Sequence, residues 1–144
     1  MSKILDIFIE EVEPIKGIKD VIPSIVFQPI NREEIKLFSK NGGKCLGIEP
    51  GEGPFILFSA VFRWSDPKDD SAVTTANSNI ISRTTALAKE MGLHHRYIYQ
   101  NYANASQDVF AGYGKENRER LRTIQKEYDP EGVFSRLQPG YFKV

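Results

Sequence analysis

The chain has 144 residues, the length of a single domain. Its 40% apolar, 26% charged and 11% aromatic content is that of a globular protein, not a disordered or collagenous one. Nineteen Lys and Arg against nineteen Asp and Glu exclude the basic excess of a nucleic-acid or anionic-membrane binder. The lone Cys45 excludes an internal disulfide and a cysteine-cluster zinc site.

Residues 4–12 place Ile4, Leu5, Phe8, Ile9 and Val12 on one stripe of an amphipathic helix. Acids interrupt it and no basic leader precedes it, so it reads as a helix of the fold and not a signal peptide. No apolar run is long enough to span a bilayer, and a cytoplasmic protein is expected. Residues 22–28 are β-branched and aromatic and predict a strand. Asn31 is a candidate N-cap for a helix through Phe38, with Glu33 and Glu34 in its first turn. Asn41-Gly42-Gly43 turns the chain. A short strand is expected over 44–48 and the strongest one over 55–64. A long helix follows, its stripe running through Val73, Ala76, Ile80, Thr84, Leu87 and Met91 and closing at Gly92. Residues 96–102 predict a fourth strand. Helices near 107–113 and 115–128 come next, the second with a stripe of Leu121, Ile124 and Tyr128, and then an extended tail.

Strand, helix, strand, strand, helix, strand is the order of a ferredoxin-like α+β fold. The expectation is a single domain, 1–144, with a four-stranded antiparallel sheet, helices on one face and further helices at the C-terminus. Such a sheet leaves its second face open, and strand 55–64 is apolar on both sides. A ligand, another segment or a second subunit is therefore expected there.

Chemistry-bearing motifs are sparse. No phosphate loop, dinucleotide fingerprint, zincin motif or nucleophile elbow occurs. His94-His95 are adjacent, which on a strand points them apart and makes a poor chelate. Cys45 reads as an inert apolar thiol. Asn104-Ala105-Ser106 matches a glycosylation sequon, accidental in a cytoplasmic chain. Arg118, Arg120 and Arg122 alternate with acids as a solvated helix face. Tyr99-Gln100-Asn101 is the candidate catalytic element: a two-residue step on a strand places phenol and amide on one face. A phenol donates to a carbonyl or exchanges a proton, and the amide orients it. Gln28, Ser59 and Arg63 are candidate substrate contacts, because polar groups in apolar strands need a reason.

Tyr99-Gln100-Asn101-Tyr102, Gln107-Asp108-Val109-Phe110, Tyr113-Gly114, Asn117-Arg118-Glu119-Arg120-Leu121 and Tyr128-Asp129-Pro130-Glu131-Gly132-Val133-Phe134 resemble the C-terminal end of fungal FAD-linked oxidoreductases of the berberine-bridge-enzyme-like group. The stretches Pro23 to Ile30, Asn41-Gly42-Gly43 and Trp64-Ser65-Asp66 resemble the same family's substrate domain. The resemblance implies that Tyr99 lies over the flavin as a base or its helper, with Asn101 in support. It also implies that the FAD domain, with its pyrophosphate loop, is not part of this chain. Two departures stand out: Ala105-Ser106 replaces a Pro-Trp pair, and Lys44 replaces an Asn. Ser106 thereby joins the candidate substrate contacts.

The resulting expectation is a cofactor-free cyclase or isomerase, of Diels–Alder type or a proton-shift isomerase, acting on a secondary-metabolite intermediate. Tyr99 and Asn101 would serve as donors. A homodimer would hide the surface that the FAD domain covers in the family. The alternatives are a truncated or split FAD-linked oxidoreductase, which requires FAD, and a non-catalytic partner subunit.

Overall fold

In chain order, the computed structural model contains α1 (Ser2–Val12), β1 (Ile22–Ile30), α2 (Arg32–Leu37), β2 (Phe55–Arg63), α3 (Asp70–Glu90), α4 (Val109–Gly112), α5 (Lys115–Tyr128) and α6 (Val133–Leu137), with short 3-10 turns between them. It describes residues 2–138, 140 and 142–144. The chain divides into two compact units, Met1–Gln28 with Ile56–His94, and Pro29–Phe55 with His95–Val144.

In the first unit β1 and β2 form an antiparallel pair. α1 and α3 pack on each other and on one sheet face. Phe62 meets Phe8 of α1 edge-on, with ring centroids 6.4 Å apart. Asn77 of α3 donates to the Ala60 carbonyl at 3.1 Å, and Phe58 meets Phe27 at 5.4 Å. Strand alternation therefore turns Ile25, Phe27, Phe58, Ala60 and Phe62 toward the helices. Ile22, Val26, Gln28, Leu57, Ser59, Val61 and Arg63 lie on the opposite face.

The α3 stripe emerges over most of its expected length: Val73, Ala76, Ile80 and Thr84 are buried and Leu87 half-buried, while Met91, past the helix end, is exposed. The α1 stripe is rotated from expectation. Leu5 and Ile9 are exposed, while Glu11 turns toward α3 and meets Arg83 and Asn79. A charged anchor has replaced an apolar one.

In the second unit Asn31 caps α2 in a full capping box with Glu34, as its sequence implies. The core gathers Val109, Phe110 and Tyr113 with Leu46, Tyr97, Ile98, Leu121, Phe142 and Val144 around them.

The sheet differs from expectation. Among the described residues it has two strands, not four, and the ferredoxin-like order is absent. Residues 44–48 turn instead of pairing, because Gly47 sits at φ 69°. Residues 96–99 are extended but unpaired and lead into a 3-10 turn, Gln100–Tyr102. What covers this segment is α4. A Cβ on Gly112 would fall 2.5 Å from the Arg96 carbonyl oxygen, so the helix backbone lies directly against it. The expected extended tail begins instead with α6. Asp129 accepts from the Val133 N–H at 2.6 Å and the Ser135 N–H at 3.3 Å, capping that helix. No helix among the described residues is long and apolar enough to cross a membrane.

Candidate functional site

The best-defined polar pair lies in the second unit. The Asn101 side-chain amide donates to the Tyr99 hydroxyl oxygen at 2.9 Å. A continuous strand would hold these side chains parallel, about 6–7 Å apart. The 3-10 turn brings them together instead, its Tyr102 N–H closing on the Tyr99 carbonyl at 3.1 Å. The Tyr102 ring stands edge-on to Tyr99 at 5.0 Å and fixes the phenol from the side. Tyr99 is half-buried and Asn101 exposed. Because the amide occupies an acceptor site on the phenol oxygen, the Tyr99 O–H remains free to donate.

Neighbouring phenols differ in environment. Tyr97 stacks on Tyr113 at 6.1 Å. Burial first, then the nearby Tyr113 and Tyr99, push Tyr97 up to about 12. Burial also raises Tyr113. Both remain neutral donors through the physiological range.

The other candidates separate. Gln28, Ser59 and Arg63 share the open sheet face of the first unit, Ser59 half-buried and the other two exposed. Ser106 belongs to a turn after the Tyr99 segment. Its N–H and hydroxyl both donate to Asn104 Oδ1, at 3.0 and 2.9 Å. Asn104 N–H in turn donates to Gln107 Oε1 at 2.8 Å. Sequence reasoning missed Tyr102 and Asn104 as organisers. The Asn-x-Ser spacing was the available signal for the second, since it is also an Asx-turn pattern. His95 accepts from the Tyr97 N–H at 3.2 Å and lies 3.5 Å from Glu52, against the Phe55 ring.

The Tyr99–Asn101 pair suits the carbonyl or ring-nitrogen edge of a planar molecule, an enone or an isoalloxazine alike. A dinucleotide's phosphates would need free, convergent N–H groups. Around Tyr99 the N–H groups of Tyr102, Ala103, Asn104 and Ser106 are spent internally. Among the described residues no group of His, Cys, Asp or Glu gathers to hold a metal ion.

The profile of the family "Berberine and berberine like" matches residues 98–139, the segment that carries this pair. Residues 98–139 thus carry a berberine-like segment. It is 35% identical over 142 residues to the FAD-dependent monooxygenase FUP4 of Fusarium proliferatum, covering 95% of this chain and 28% of that protein. It is 35% identical over 122 residues to the FAD-dependent monooxygenase tpcD of Cochliobolus heterostrophus, covering 85% and 24%. It is 36% identical over 103 residues to the FAD-dependent monooxygenase sdcF of Emericella nidulans, covering 72% and 22%. The chain thus spans about a quarter of the length of these relatives. No solved structure matches it.

Proposed function

We propose that this berberine-like chain provides the substrate-side and proton-handling part of an FAD-dependent oxidoreductase that acts on a secondary metabolite. The observation that carries the proposal is the Asn101-to-Tyr99 hydrogen bond within the family-matched segment. FAD, when bound, would supply the two-electron acceptor. Tyr99 and Asn101 would face its ring edge or the substrate carbonyl. Tyr99 would donate its hydroxyl proton to a substrate oxygen as negative charge develops there, while Asn101 holds the phenol in place. Taken by itself, the open face of the β1–β2 sheet in the first unit would offer Val26, Val61 and Leu57 to an organic substrate, with Gln28, Ser59 and Arg63 as polar contacts. The three relatives named above, each an FAD-dependent monooxygenase, support the redox assignment.

The same pair also has the chemistry of a cofactor-free cyclase or isomerase, in which a preorganised donor activates a carbonyl. That effect alone is worth about 2.7–4 kcal/mol. Turnover of an enone or phenolic substrate panel by flavin-stripped protein, before and after adding FAD, separates the two. FAD-dependent turnover is expected. Equal turnover without flavin overturns the redox reading in favour of the cyclase or isomerase. A homodimer is also proposed, supported by Tyr128, Phe134 and Leu137, which are 75%, 72% and 75% exposed. Light scattering at micromolar concentration tests it, and a monomer contradicts it.

A further inference from the structure

The open face of the β1–β2 sheet is apolar and carries one cation. Ile22, Val26 and Val61 are 53%, 43% and 52% exposed there. Neither strand contains an acidic residue. Arg63 ends β2 on this face, exposed, and its guanidinium has no ion pair or hydrogen bond among the described residues.

Three carboxylates of the segments that flank the strands at this end are engaged elsewhere. Asp20 accepts from the Ser65 hydroxyl at 3.2 Å. Asp66 pairs with Lys68 at 2.7 Å. Asp70 accepts from the Trp64 indole at 2.6 Å. These three acids are thus held by other partners, and the Arg63 charge is left beside an apolar surface. Besides Ser24 of β1, two neutral polar groups lie further along that face. Ser59 is four residues back on β2, about 13 Å at the rise of a strand. Gln28 sits near the opposite end, since Phe27 and Phe58 are neighbours.

We infer that this face takes an elongated apolar organic anion, a carboxylate or an ionised phenol or enol. Its charge is held by Arg63 and its carbon skeleton lies along Val61 and Val26. The inference rests on the reading of this face as the substrate surface, and it narrows that reading to acidic substrates. Arginine suits the task because its fork binds a carboxylate through two parallel hydrogen bonds.

A matched pair of probes tests it: pyrenebutyrate, a carboxylate, and pyrenebutanol, its uncharged counterpart. Each is titrated into the full chain while the Val26 and Val61 methyl resonances are followed. The acid is expected to bind roughly three- to tenfold more tightly than the alcohol, the range of one charge-assisted contact at an exposed site. Arg63→Gln should erase the difference without changing alcohol binding, and Arg63→Lys should retain part of it. Equal affinities for the two probes in the unaltered chain, with both methyls shifting, would overturn the anion preference alone. No shift of either methyl with either probe would overturn the substrate-face reading together with it.

Discussion

Asn101 Nδ2 lies 2.9 Å from the Tyr99 hydroxyl and donates to it. The amide both holds the phenol and leaves its proton available. Asn101→Ala should therefore lower turnover about three- to tenfold, the effect of one neutral hydrogen bond. Tyr99→Phe should lower it roughly a hundred- to a thousandfold, as when a preorganised donor is lost. In the double variant the Asn101 effect should vanish, because its partner atom is gone. Steady-state rates of the four proteins form the cycle that checks this.

The alkaline limb of stability should report Tyr97. Its phenol is pushed up to about 12, chiefly by burial, while an unfolded tyrosine titrates near 10. Between those values the folded chain holds a proton that the unfolded chain has released, so stability falls as pH rises from about 10 to about 12. Absorbance of tyrosinate should show a late-titrating fraction, and Tyr97→Phe should remove part of it and flatten the alkaline loss of melting temperature.

The Glu11–Arg83 pair should make α1 docking acid-sensitive. Arg83 contacts Glu11 at 2.7 Å and Glu10 at 2.6 Å. These bonds, with that from Asn79, hold the Glu11 carboxyl below its ordinary range. A lowered carboxyl contributes stability above its unfolded value, and that contribution is lost as pH falls through the folded one. Glu11→Gln should therefore destabilise the chain at neutral pH and cost progressively less below about pH 4, measured by denaturant midpoints across pH.

Gly112 is the position where the helix backbone touches the strand-like segment that leads to Tyr99. A Cβ there would lie 2.5 Å from the Arg96 carbonyl oxygen, which is backbone and cannot swing aside. Gly112→Ala should cost about 1–3 kcal/mol, the usual range for overpacking, and should lower turnover along with stability. Gly17→Ala is the control, since nothing lies within 4 Å of its added carbon.

The local elements were legible because local signals fix them. The Asn31 capping box, the α3 stripe and the run of β-branched and aromatic residues in β2 each act within a few residues. The sheet order was not legible. Residues 96–102 alternate like a strand, yet a strand needs a partner, and pairing is decided by residues distant in sequence. Gly47 likewise sits in an apolar stretch whose positive φ no periodicity reveals. At the candidate site the residue identities were legible and the geometry was not. Tyr99 and Asn101 meet through a 3-10 turn, not across a strand face. Ser106, singled out as a substrate contact, is bonded to Asn104 in its own turn.

The most direct test is anaerobic bleaching of the long-wavelength flavin band when substrate is added to the FAD-loaded protein, compared between Tyr99→Phe and Tyr102→Phe. Bleaching should slow by roughly a hundredfold or more in the first variant and only modestly in the second, where an edge contact alone is lost. Bleaching in Tyr99→Phe at the unaltered rate would contradict it.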